Sequence, residues 1–249
     1  MGTISSLEKM FIWTRTEKTY FIPALLVILL SYSVYFFLDE NTINKLGMED
    51  GFFEYLTALF FLIAAIVFLR CYFFNKKIIY LVFALIFFIG MGEEISWGQR
   101  LFNYGTPEYF RENNIQDEFN LHNLMLFDSK NPEGQFKSGL SYYLSVNFLY
   151  KFFWMAFGII LPIVYSLSHL IRNVVKKIRI PVPPIVLGSL FLVNWTVCKV
   201  LLAFFLSGGR SAQYYYTAIE ISEFGSAFVF MILAAYFLKV ERTEKQQNV

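Results

Sequence analysis

The sequence predicts an all-α fold, a polytopic membrane helix bundle of about six transmembrane helices with a partly helical outer-face segment between spans three and four. Three observations predict it. Of 249 residues, 57% are hydrophobic, 20% aromatic and 16% charged, against roughly 45–50% apolar and 25% charged in soluble domains. Several apolar runs reach about 20 residues, enough to cross a ~30 Å hydrocarbon layer at 1.5 Å per residue. The charges between those runs are segregated by side.

Taken in order, residues 1–19 form an amphipathic, mildly basic cytoplasmic lead-in. A single transmembrane domain at 20–238 follows, with spans at about 20–38, 52–69, 78–97, 146–170, 184–206 and 214–238 and a tail at 239–249. The first run has no small-residue cleavage site after it and is expected to stay as a signal anchor. The long connection at 98–141 is an outer-face roof. In it, "TPEYFREN" offers Thr106 as an N-cap with Pro107 at the first helical position. "IQDEFNLHNLMLF" is expected to form a second short helix at the interface, before the turn-rich "DSKNPEGQFKSG". "RIPVPP" at 179–184 is a stiff turn in which proline sets the entry to span five. Cys71 and Cys198 fall at opposite ends of different helices, which argues against a disulfide or a Cys-based zinc site.

Orientation follows from the basic residues. Lys9, Arg15, Lys18, Arg70, Lys76, Lys77, Arg172, Lys176, Lys177, Arg179, Lys239, Arg242 and Lys245 fall on one side, 13 of the 21 Lys and Arg. The positive-inside rule makes that side, with both termini, cytoplasmic. Only Glu8, Glu17, Glu241 and Glu244 of the 19 acids share it.

The remaining acids converge. Glu54 lies about one turn below the outer end of span two, and Glu93 and Glu94 lie near the outer end of span three. Lys199 is roughly 10 Å down span five, while Glu220 and Glu223 are roughly 9 and 13 Å down span six. Asn147 and Lys151 cap span four. The cytoplasmic half is nearly pure Leu, Ile, Val, Phe and Ala. A charge at mid-membrane costs at least ~2.5–3.5 kcal/mol, so such groups face one another or a wet cavity. The sequence therefore predicts an outward-opening acidic cavity with Glu54 and Trp97 on its wall. Structural pairing is the competing explanation. Lys199 could hold Glu220 and Glu223, Arg100 shares a helical face with Glu93, and Trp97 is an ordinary interfacial anchor. The carboxylates nonetheless outnumber the bases, and each unpaired one must hold a proton or bind a cation.

A metal is one such cation. Glu118 and His122 are i, i+4 and would share a helical face. With Glu94, and Glu93, Glu220 or Glu223 in reserve, they form an oxygen-rich set with one imidazole, suited to Mn, Fe or Zn. Such an ion lowers the pKa of bound water. Without it, Glu93, Glu94, Glu220 and Glu223 offer a general acid and base, and Gln99, Arg100, Asn120, Asn123 and Lys199 offer substrate contacts.

"GEEISWGQRLF", "TPEYF" and "NIQDEFNLHNL", with "EDGFFEYLTALFFLIA" and "EISEFGSA", resemble a recurring signature of uncharacterised multi-pass bacterial inner-membrane proteins. The resemblance covers most of the chain from Met48 onward and implies the bacterial cytoplasmic membrane, without implying an activity. Intramembrane metal hydrolases of the alkaline-ceramidase type also place a Glu early, but this chain lacks their late His-x-x-x-His pair. The leading expectation is a hydrolase or transferase acting at the outer face on a membrane lipid or lipid-linked substrate, with no nucleic-acid partner. The alternatives are a proton- or ion-coupled transporter, disfavoured by the apolar inner half and the absence of inverted repeats, and a non-catalytic effector or scaffold.

Overall fold

Residues 13–131, 134–205 and 209–247 are described by the structure, a computed structural model. Its first helix, α1 (Arg15–Phe37), opens on a capping box in which Thr14 and Glu17 exchange side-chain-to-backbone hydrogen bonds. Asp39 caps a short second helix, α2 (Glu40–Leu46), through Thr42 N at 3.1 Å. The long helix α3 (Phe52–Asn75) ends at Lys76, which takes the left-handed conformation. Next come α4 (Ile78–Glu94), a 3₁₀ turn at Ser96–Gly98, and the short helices α5 (Gln99–Phe102), α6 (Glu108–Asn113) and α7 (Leu140–Tyr143). Span four is α8 (Val146–Met155), a π turn at Ala156–Ile160 and α9 (Leu161–Leu167). The chain closes with α10 (His169–Ile178), α11 (Ile185–Phe205) and α12 (Ala212–Gln247).

Five of these helices are long and apolar enough to cross a membrane, and a sixth crossing forms if α4 and Ser96–Phe102, bent by 67°, count as one broken span. The chain is an all-α, multi-pass membrane protein. Several expected boundaries move. Helix α1 begins at Arg15 and takes in the end of the lead-in; the rest of that lead-in, residues 1–12, lies outside the described residues. Helix α3 runs to Asn75, and α12 continues to Gln247, so residues 239–247 extend the helix.

Helix α12 is the centre of the bundle, with 61% of its most apolar window buried against 22–50% in the other four long spans. It packs most extensively on α3, which packs equally on α4. Antiparallel α1 lies alongside α12: Tyr20 OH donates to Ala235 O near one end and Tyr35 OH to Tyr214 O near the other. Away from the roof, the space between helices is filled by aromatic rings. Phe68 stacks on Phe87, and Phe87 meets Phe230, which in turn contacts Phe153 and Phe191. At the end of the bundle away from the roof, Glu241 accepts from Lys77 Nζ at 2.5 Å and Tyr80 OH at 2.7 Å.

Small residues permit the closest helix approach. A Cβ at Gly188 would overlap the Gly158 carbonyl within the π turn, so α11 and span four touch backbone to backbone. Nearby, Asn194 of α11 is 1% exposed and fully engaged. It accepts from Tyr32 OH at 3.0 Å and donates to Ser222 O at 2.7 Å and Ser226 Oγ at 3.0 Å.

The roof differs from the expectation in two places. Pro107 is the N-cap of α6 rather than its first helical residue, and Thr106 donates to Asp117 O at 2.6 Å instead of capping. The second helix, expected over "IQDEFNLHNLMLF", does not form. Asn114 Oδ1 accepts from Gln116 N at 2.8 Å and Glu118 N at 3.4 Å, and Asp117 sits at φ 56°. These side-chain bonds supply what a helix would have supplied, so the segment folds as successive turns closed by an Asn114–Leu124 bridge.

Candidate functional site

The site begins where α4 stops. Ser96, Trp97 and Gly98 have φ of 45°, 54° and 81°, a left-handed run that reverses the chain after "GEEI". Gly92 makes the reversal possible, because a Cβ there would meet the Trp97 ring at 2.8 Å. Trp97 thus folds back and its Nε1 donates to Glu93 Oε1 at 2.8 Å.

Glu93 is a clasp. Its Oε2 accepts from Leu121 N at 2.6 Å and His122 N at 3.0 Å, and His122 Nδ1 lies 3.5 Å away. One carboxylate at the end of α4 therefore pins the tip of the roof.

Glu118 is a second clasp, with a side chain only 4% exposed. It accepts from Ser96 Oγ at 3.0 Å, Asn120 Nδ2 at 2.5 Å, Asn123 Nδ2 at 3.1 Å and the Arg100 guanidinium. Arg100 also pairs with Asp50 and reaches Glu49 at 3.6 Å. The expected Arg100–Glu93 pairing is absent because the left-handed run breaks the helix between them. Hydrogen bonding between the Glu49 and Glu118 carboxyls, with burial second, pushes Glu49 up to about 8. Burial pushes Glu118 up as well, but hydrogen bonds from Glu49, Arg100 and Ser96 outweigh it and hold Glu118 at about 2.

Gln99, Asn120 and Asn123, expected to contact substrate, spend their polar atoms on the roof itself. Gln99 bridges Thr106 Oγ1 at 2.7 Å and Phe119 N at 2.6 Å. Asn120 accepts from Asn114 Nδ2 at 2.9 Å, and Asn123 donates to Gln116.

Beneath the roof, Glu94 is half-buried and within electrostatic reach of Glu223, Glu220, Glu54 and Glu93. Glu54, Glu220 and Glu223 are half-buried too. Glu54 accepts from Asp50 N at 2.5 Å, which ties it to the strand of chain that carries Glu49. Among the described residues, no cation forms an ion pair with Glu94, Glu220 or Glu223. Lys199 is exposed on α11 and does not hold Glu220 and Glu223 as expected. Tyr150 of α8 adds a buried phenolic oxygen with no hydrogen-bond partner, beside Glu223 and Glu94.

No known protein family, curated protein or solved structure matches this chain.

The metal set Glu94, Glu118 and His122 is not gathered. Among the described residues no group of three His, Cys, Asp or Glu side chains is arranged to hold an ion. The physical reason is the missing helix: without it Glu118 turns to Arg100 and His122 to Glu93, so the i, i+4 relation is lost.

Sequence reasoning missed Glu49, Asp50, Ser96 and Tyr150. The acidic pair next to Glu54 was a usable signal, since an excess of acid beside "GEEISWGQR" needs its own cation. Ser96 and Tyr150 gave none, because their roles come from the chain reversal and from span four's rotation.

Proposed function

We propose that this protein is an enzyme, a hydrolase or transferase, acting on a lipid or lipid-linked substrate at the outer face of a bacterial cytoplasmic membrane, within the uncharacterised family its signature resembles. One observation carries the reading. Glu94, Glu220 and Glu223, from two helices, lie half-buried within electrostatic reach of one another, and among the described residues no cation forms an ion pair with any of them. Folding alone gives no reason for such a group, because unpaired buried carboxyls oppose it. Carboxyls that crowd one another split into one that keeps a proton and one that gives it up, which is the requirement for a general acid and a general base.

In this reading Glu94 and Glu223 are the acid–base pair, Glu220 and Glu54 set the local potential, and the Tyr150 hydroxyl orients the reacting oxygen. Glu93, Glu118 and Arg100 position the roof over them. The aromatic packing beneath, from Phe87 through Phe230 to Phe191, fills the space between the helices there and counts against a transport path.

The test is to reconstitute the protein with an inner-membrane lipid extract and follow the lipid profile by mass spectrometry. Turnover of a lipid class by wild type, lost in Glu94→Gln and Glu223→Gln, is expected. An unchanged profile together with carboxylate-dependent proton flux into the vesicles would replace the enzyme reading by a transporter.

A further inference from the structure

The most strongly two-sided helix among the described residues is α10, at the opposite end from the acidic cluster. The helix starts where Ser168, at φ −110° and ψ 119°, interrupts span four and caps Ile171 N at 3.3 Å. Arg172 fixes the break: its Nη2 donates to Ser166 O at 2.9 Å and its Nε to Tyr165 O at 3.3 Å, which satisfies the carbonyl end of α9. Arg172 is therefore a structural residue, not a free cation.

At about 100° per residue, the other side chains fall into three arcs. Val175 is buried and Ile171 and Arg172 are half-buried, which marks the arc packed on the protein. Leu170, Val174 and Ile178, at i, i+4 and i+8, form a second arc that is 72%, 46% and 54% exposed. His169, Asn173, Lys176 and Lys177 form a third, exposed and polar. Arg179 follows in the left-handed conformation, and no acid occurs anywhere from Ser168 to Pro184. A helix standing in water has no use for the second arc, and one buried in the bundle has no use for the third.

We propose that α10 lies in the plane of the membrane on its anionic leaflet, with Leu170, Val174 and Ile178 in the acyl boundary and Lys176, Lys177 and Arg179 on anionic phospholipid headgroups. Charge complementarity selects the occupant: the exposed cations stand beside the apolar arc with no intervening acid. The apolar arc is also continuous with exposed Leu167 at the end of span four. This is the arrangement of interfacial amphipathic helices, in which apolar burial and headgroup attraction act together. Each cation favours an anionic over a zwitterionic neighbour about fivefold. The inference is independent of the chemistry at the acidic cluster.

The experiment uses the full-length protein in nanodiscs of phosphatidylcholine with and without phosphatidylglycerol. Spin labels go on Leu170→Cys, Val174→Cys, Ile178→Cys and Asn173→Cys, read by collision with oxygen and with a water-soluble nickel chelate. Labels at 170, 174 and 178 should collide with oxygen and the label at 173 with nickel. Nickel access at all four would overturn the proposal, as would protection of the apolar three from both reagents, which would mean that protein covers them. In parallel, phosphatidylglycerol should raise the melting temperature of wild type. The rise should be absent in Lys176→Gln/Lys177→Gln/Arg179→Gln, whose melting in pure phosphatidylcholine should match wild type. An equal rise in the triple variant would overturn the headgroup assignment.

Discussion

Replacing Arg100 by Gln removes the one cation that, among the described residues, joins the roof to the start of α3. Its partners are not equivalent. Asp50 and Glu49 are 34% and 45% exposed, so those arms are each worth only about 0–1 kcal/mol. Glu118 is 4% exposed, and stripping the partner from a buried ion typically costs about 3–5 kcal/mol. Ser96, Asn120 and Asn123 remain as donors to Glu118, which lowers the expected net cost to about 2–3 kcal/mol. That is a roughly 30–150-fold more frequent opening of the roof. Hydrogen exchange read by mass spectrometry on peptides covering 114–125 measures it directly, because Ile115 N, Phe119 N, Leu121 N and Met125 N are all bonded within the roof or to its clasps. Exchange should quicken there and stay unchanged in α3 and α12. The double variant Arg100→Met/Glu118→Met, with neither charge left behind, should be less open than Arg100→Gln. Unchanged roof exchange in Arg100→Gln, or equal loosening of the spans, would refute the assignment of Arg100 as the roof's latch.

Further outcomes are expected from other parts of the structure. The roof should be pH-sensitive through Glu49, which faces Glu118, Arg100 and Glu54. Its folded-state value near 8 exceeds its ordinary 4.5, so its contribution is full below about 4.5 and lost as pH rises through about 8. Glu118, held near 2, keeps its contribution throughout that range and loses it only as pH falls through about 2. Exchange in 114–125, corrected for intrinsic rates, should therefore rise between about pH 5 and pH 9, and a flat profile would remove Glu49 from the latch. Asn194→Ala removes the side-chain bonds to Tyr32 OH, Ser222 O and Ser226 Oγ, leaving Tyr32 OH only its longer bond to the carbonyl of residue 194, and should cost about 1–3 kcal/mol in thermal unfolding; a neutral effect would contradict the network. Gly188→Ala drives a methyl into the Gly158 backbone, so at least about 1–3 kcal/mol should be lost, and wild-type melting would show that the helices separate freely.

Much of the bundle was legible because its determinants are local and additive. A run of about twenty apolar residues specifies a crossing without knowledge of any contact. The convergence of Glu54, Glu94, Glu220 and Glu223 was legible for the same reason, since depth along a helix is arithmetic. The roof was not. Its folding is decided by Asn114 and Asn120 side chains competing with helical backbone bonds, and by three successive left-handed residues of which only Gly98 announces itself. The shared face expected for Glu118 and His122 was lost with it, because it presupposes the helix that Asn114 prevents. The pairing of Lys199 failed differently: depth along the helix was readable, but rotation about its axis was not.

The central claim is that the acidic cluster is kept for chemistry and not for folding. The most direct measurement is thermal unfolding, in one detergent and lipid mixture, of Glu94→Gln, Glu220→Gln and Glu223→Gln beside wild type. Amides of the same shape remove the charges while preserving packing, so each variant should melt at or above the wild-type temperature. For a chain of this size 1 kcal/mol shifts melting by roughly 2–4 °C. A fall of that size or more in these variants would show that the carboxylates hold the bundle together, and would contradict the claim.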